Sequence, residues 1–206
     1  ELEEPPADTT IMLIAHQPSR LLPTIRSRCR ELRCARLEAD DLSAALDQAG
    51  VMVQNVDGLA ALADGSAGDA IRLTRHDGLQ IYAGLIQLFD GLPQLNRPAA
   101  LKLAESCAAR GAETRYGLVL DLMDQFLVRL ARAGLFGEPS VQAAPHEALL
   151  LSRLSPHQGA AQAWAQLQQD LTARVRHGRA VNLDPASLIL DMIFKIEKTA
   201  QTVAKG

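Results

Sequence analysis

Residues 113–133 read ETRYGLVLDLMDQFLVRLARA. Leu118, Val119, Leu122, Met123, Phe126, Leu127 and Leu130 recur at steps of three and four, which places them on one wide apolar stripe of a helix. A stripe of that width must be covered, so the helix predicts partners. They follow on both sides. Residues 79–89 carry a helical pattern, and Asn96-Arg97-Pro98 opens another helix that ends near Gly111, with Pro98 near the first turn, where its missing N–H does no harm. Gly134 is read as the stop of the central helix, and residues 135–145, rich in Pro, Gly and Ala, as a loop. A short helix is expected over 147–154. A longer one is expected over 159–177, with Trp164, Leu167, Leu171 and Val175 on one face. Asp184-Pro185 starts the last, whose Leu188, Ile189, Met192, Ile193 and Ile196 repeat the 3.6-residue period.

Upstream, residues 40–49 (Asp40 or Asp41 as N-cap) and 56–63 read as short helices; Asp64-Gly65-Ser66 is a break, and Ser66 caps a third helix over 67–76. From Asp40 onward only helices are expected. Composition agrees: apolar residues make up 48% but aromatics only 3%, so the core rests on Leu, Ala, Ile and Val, and Leu and Ala are strong helix formers.

Residues 1–38 differ. Pro5-Pro6 breaks any incoming helix, and the run TIMLIA from Thr10 to Ala15 is the pattern of a strand buried on both faces of a parallel sheet. A short helix is expected over 21–26 and a second strand over 30–35. Two parallel strands make no stable sheet, so further strands are expected before Glu1. The absence of an initiating Met fits the same expectation, that of a piece of a longer chain.

The net charge of −3 argues against a general nucleic-acid-binding surface. Cys29, Cys34 and Cys107 form neither a regular disulfide framework nor a zinc set and are expected as reduced thiols. His146, His157 and His177 have no ligand spacing, so no metal and no cofactor are expected. No phosphate-cradling G-x-x-x-x-G-K-[ST] occurs, nor a run of membrane-spanning length.

Three motifs in order carry a resemblance: Leu2-Glu3-Glu4-Pro5-Pro6, Thr24-Ile25-Arg26-Ser27-Arg28-Cys29 and Asp64-Gly65-Ser66-Ala67-Gly68-Asp69-Ala70. They resemble the LEEPP element, the T-I-x-S-R-C motif and the start of the sensor-2 helix of AAA+ clamp-loader subunits of bacterial DNA polymerase III. Val181-Asn182-Leu183-Asp184 is similar to the entry of the last collar helix of the delta-prime type. The resemblance implies a mainly α chain in three parts. Residues 1–38 would close a parallel α/β AAA+ domain with its residual strands, 39–77 would be a three-helix lid, and 78–206 an all-α helical collar for oligomerisation.

It also implies chemistry. Arg28 would be an arginine finger supplied in trans to a neighbour's ATP, stabilising charge on the transferring phosphoryl group, with Ser27 and Cys29 holding the turn that aims it. For a lone Ser-Arg-Cys a surface ion pair is the plainer reading; the flanking motifs turn the choice to the finger. Arg20, Arg26 and Arg30 surround it as a solvated basic face or as contacts for a neighbour's acidic or phosphate groups. Gly68 stands where motor subunits carry an arginine that touches nucleotide, so this chain would neither bind nor hydrolyse ATP; alternatively, Gly68 allows close helix packing. His16 falls near the sensor-1 position and is read as a solvated or capping histidine. Expected partners are the motor (gamma/tau) and delta-type subunits and, through the assembly, the sliding clamp and primer-template DNA, in the cytoplasm and away from membranes.

Two other readings compete. One is a motor subunit truncated before its active site. The other is a helical DNA-binding module built on Arg174, Arg176, His177 and Arg179, a cluster that a helix C-terminus would favour in any case.

Overall fold

The computed structural model describes residues 8–15 and 17–205. It divides into two compact units, the first ending at Ala35 and the second beginning at Arg36. Leu2-Glu3-Glu4-Pro5-Pro6 and His16 lie outside the described residues.

Among its described residues, the first unit holds a single 3-10 turn at Pro18–Arg20 and one short helix, α1 (Pro23–Arg26). Neither expected strand forms: residues 9–15 and 30–35 have no regular structure. A strand exists only through the ladder to its neighbour, and no partner strand occurs among the described residues. Met12 and Ile14 of the TIMLIA run are 87% and 91% exposed as a result. The apolar pattern was a statement about burial that these residues alone do not satisfy.

The second unit is entirely helical among its described residues: α2 (Ala39–Gln48), α3 (Val56–Ala63), α4 (Ala67–Arg75), α5 (Gly78–Asp90), α6 (Arg97–Ala108), α7 (Glu113–Phe136), α8 (Glu147–Leu154), α9 (Gln158–Ala180) and α10 (Pro185–Val203). Local chemistry sets most starts. The side chains of Asn55, Ser66, Asn96 and Asp184 accept hydrogen bonds from the backbone N–H groups of Gly58, Asp69, Ala99 and Ser187, closing the first turns of α3, α4, α6 and α10. His157 does the same for α9 through Nδ1, 3.1 Å from Ala160 N. The start of α2 departs from expectation: its N-cap is Glu38, with no side-chain cap, and Asp40 and Asp41 lie within the first turn, where their charge favours the helix N-terminus.

The stripe of α7 is buried throughout, every one of its seven apolar residues being at most 2% exposed. It packs along α9, with α5 and α8 against its other flanks, while α10 closes onto α6 and α9. Phe89 and Phe126 stack at 4.9 Å, and buried Trp164 donates its indole N–H to the Leu154 carbonyl at 2.8 Å. One continuous apolar core runs from Leu42 and Leu46 of α2 to Ala200 of α10.

Helix α7 does not stop at Gly134; it continues to Phe136, with Gly137 as C-cap at φ +85°. Gly134 serves packing instead. A Cβ there would lie 2.4 Å from Ser155 Oγ, 2.9 Å from Ala161 Cβ and 3.0 Å from the His157 carbonyl.

A polar hub sits inside this core. The Glu147 carboxylate, 0% exposed, accepts from Tyr82 OH (2.6 Å), from Nε and Nη2 of Arg129 (2.5 and 3.0 Å) and from Ala143 N (2.6 Å). Arg129 also reaches the carbonyls of Val141 (2.9 Å) and Ala61 of α3 (3.4 Å). Burial, and then the Glu147 charge, push the Tyr82 phenol well above its usual range, which keeps it a donor.

Candidate functional site

Pro23, at the first position of α1, is preset for a helical turn, and coiling continues beyond Arg26. Ser27 N donates to Pro23 O (3.0 Å), Arg28 N to Ile25 O (3.1 Å) and Cys29 N to Arg26 O (3.4 Å), the later bonds tightening to three-residue spacing. The Thr24 carbonyl becomes the organising acceptor. It takes Ser27 Oγ at 3.2 Å and Arg28 Nη1 at 2.9 Å. The Ser27 hydroxyl thus shares an acceptor with the Arg28 guanidinium. Cys29 is exposed with a free thiol, and its described contact in the turn is the backbone bond to Arg26 O.

Arg28 is exposed, and its recorded hydrogen bond uses one of five N–H donors. It forms no ion pair with a described residue; nor do Arg20, Arg26 and Arg30, all exposed. The neighbouring Glu31 is taken by Arg33 at 2.9 Å. The loop therefore presents cations lacking internal carboxylate partners among the described residues, with one of them braced against its own backbone.

In the second unit, Gly68 lies exposed in the first turn of α4, and a Cβ there would meet nothing nearer than Ser66 Oγ at 3.9 Å. Close packing is not what requires glycine at this position. The late basic cluster is partly engaged. Arg174 binds Asp191, Arg179 lies over the Tyr116 ring at 5.8 Å, and Arg176 and His177 are exposed. Among the described residues no group of His, Cys, Asp and Glu is arranged to hold a metal, and His157 is used as a cap. No helix there is long and apolar enough to cross a membrane. A cleft of about 450 Å³ lies between α3–α4 and α7–α9, and it is crossed by Arg72 reaching Asp121 at 2.7 Å.

The family model described as DNA polymerase III, delta subunit, matches residues 1–38, the segment that holds Arg28. Over 119 residues the chain is 40% identical to DNA polymerase III subunit delta' of Pseudomonas aeruginosa, an alignment covering 51% of this chain and 32% of that protein. The chain thus spans about a third of the length of the curated relative it matches. No solved structure matches it. Both matches bear out the resemblance drawn from the motifs, to the delta-prime type of bacterial DNA polymerase III clamp-loader subunit.

Sequence reasoning did not foresee the Thr24 carbonyl as the brace. The signal was present: Ser27 and Arg28 stand three and four residues after Thr24, the reach of one helical turn.

Proposed function

We propose that this chain acts as a non-motor subunit of the DNA polymerase III clamp loader, joining the ring through its helical collar and supplying Arg28 to the ATPase site of a neighbouring subunit. In this reading residues 1–38 close the nucleotide-fold domain, 39–77 are the lid and 78–206 the collar. The partners are motor and delta-type subunits and, through the assembly, the sliding clamp and primer-template DNA, in the cytoplasm.

The observation that carries the proposal is the state of Arg28, exposed, without an ion-pair partner among the described residues, and steadied by Thr24. A finger must meet someone else's phosphate, so an internal carboxylate would have to be released first; among the described residues none holds it. A fixed guanidinium is also worth more than a mobile one, because less freedom is lost when the transition state forms. Gly68 supports the non-motor side. A Cβ there would meet nothing nearer than 3.9 Å, so glycine relieves no clash at its Cβ position, and in this reading its lack of a side chain leaves no nucleotide contact.

The test is Arg28→Ala in the whole protein within the reconstituted loader. Ring assembly should be unchanged while DNA- and clamp-stimulated ATP hydrolysis falls by roughly 10^3- to 10^5-fold at the site Arg28 serves. Normal turnover at that site would end the proposal.

A further inference from the structure

Helix α1 has four residues, too few to stand on propensity, because nucleating a first turn is unfavourable. None of the four is buried, so little packing holds it among the described residues. Nor does a cap. Its N-cap is Leu22, with no side-chain bond, whereas side chains open α3, α4, α6, α9 and α10. What remains is Pro23. Its ring fixes φ near the helical value, its missing N–H is not needed at the first position, and it keeps the preceding residue out of the helical region. Leu22 stands accordingly at φ −56° and ψ +139°, and its carbonyl accepts from Ile25 N at 3.0 Å and Arg26 N at 3.1 Å.

This turn decides what the Thr24 carbonyl does. In a continuing α-helix that oxygen would accept from Arg28 N, four residues on. Here Arg28 N goes to Ile25 O at 3.1 Å, as the coil tightens to three-residue spacing. The Thr24 oxygen is left to side chains, and its two lone pairs take Ser27 Oγ at 3.2 Å and Arg28 Nη1 at 2.9 Å. The guanidinium rests on an oxygen whose place is set by the turn that Pro23 starts, all within residues 23–28.

We propose that Pro23 is a positioning residue for Arg28, holding the Thr24 carbonyl where it braces the guanidinium. The inference rests on the finger reading above. Every bond involved lies within the first unit and within two turns of Arg28. Removing the ring returns backbone freedom to the unbraced chain, which lowers the braced share of a marginal turn by roughly two- to fivefold.

The experiment uses the whole protein in the reconstituted loader with five variants: Pro23→Ala, Pro23→Gly, Pro18→Ala, Arg28→Ala and the Pro23→Gly/Arg28→Ala double. Pro18 is the control, because it heads the other turn of the first unit, Pro18–Arg20, and takes no part in the bonds around Thr24. With assembly intact, Pro23→Ala should lower kcat for stimulated ATP hydrolysis at the site Arg28 serves by roughly two- to fivefold, with KM for ATP unchanged. Pro23→Gly should lower it further, since glycine is freer still. Pro18→Ala should turn over normally. The double variant should be no slower than Arg28→Ala alone, because a positioning residue has no effect once the group it positions is gone.

If Arg28→Ala is slow but both Pro23 variants turn over normally, the role of Pro23 is overturned and the finger stands. A normal Arg28→Ala overturns both. A double variant slower than Arg28→Ala, or a Pro18→Ala as slow as Pro23→Ala, overturns the role of Pro23, since the loss would then arise by another route. Should Pro23→Gly fail to fold, Pro23→Ala takes its place in the double, because alanine is a strong helix former, and the same comparison decides.

Discussion

Replacing Glu147 by Gln should be among the most damaging single substitutions in this chain, although the two side chains have nearly the same shape. The carboxylate is fully buried and accepts four hydrogen bonds, two of them from Arg129, whose side chain is only 12% exposed. An amide leaves that guanidinium without its counter-charge and turns one acceptor into an NH2 group aimed at existing donors. Breaking a buried pair from one side costs about 3–5 kcal/mol. Against a total stability of about 5–15 kcal/mol, that is a large fraction. At roughly 2–4 °C per kcal/mol for a domain of this size, the melting temperature should drop by about 6–20 °C. The assay is urea and thermal unfolding followed by circular dichroism. The double substitution Glu147→Leu/Arg129→Met should recover much of the loss, because it removes both charges together. A Glu147→Gln loss below about 1 kcal/mol would refute the claim that the hub is closed to water and mutually satisfied.

Two further outcomes follow from the packing and the caps. Gly134→Ala should destabilise, reversing the gain of about 1 kcal/mol that Ala ordinarily has over Gly inside a helix, because its Cβ would sit 2.4 Å from Ser155 Oγ. Ser155→Ala in the same chain should relieve part of this, since that buried hydroxyl has no hydrogen-bond partner among the described residues; denaturant midpoints check both, and a stabilising Gly134→Ala would contradict the packing. The Asp184 cap has a pH signature. Hydrogen bonds from Ser187 hold its carboxyl below the ordinary value of 3.8, so its charge stabilises the fold fully above that value and the contribution fades as pH falls through it toward the folded-state pKa. Urea midpoints of Asp184→Asn should therefore trail the parent chain equally at pH 7 and pH 5 and converge toward it near pH 3; a gap that widens on acidification would be the wrong sign.

What the residues decided by themselves is local. Ser66, Asn96 and Asp184 announced helix starts because a cap closes within three residues, and the α7 stripe announced a buried helix because its period lies within one element. The turn that carries Arg28 is of the same kind, with brace and braced only four residues apart. Tertiary structure decided the rest. Gly134 looked like a stop until Ser155 and Ala161 were brought beside it, and Glu147 looked like an ordinary helix opener until Tyr82 and Arg129, 65 and 18 residues away, converged on it. The TIMLIA run shows the converse. Its composition states a preference for burial, but a strand is a relation between two segments, and no residue in the run can supply the second. Periodicity and capping are short-range energies written into neighbouring residues, whereas contacts between distant segments depend on which surfaces the assembled helices bring together.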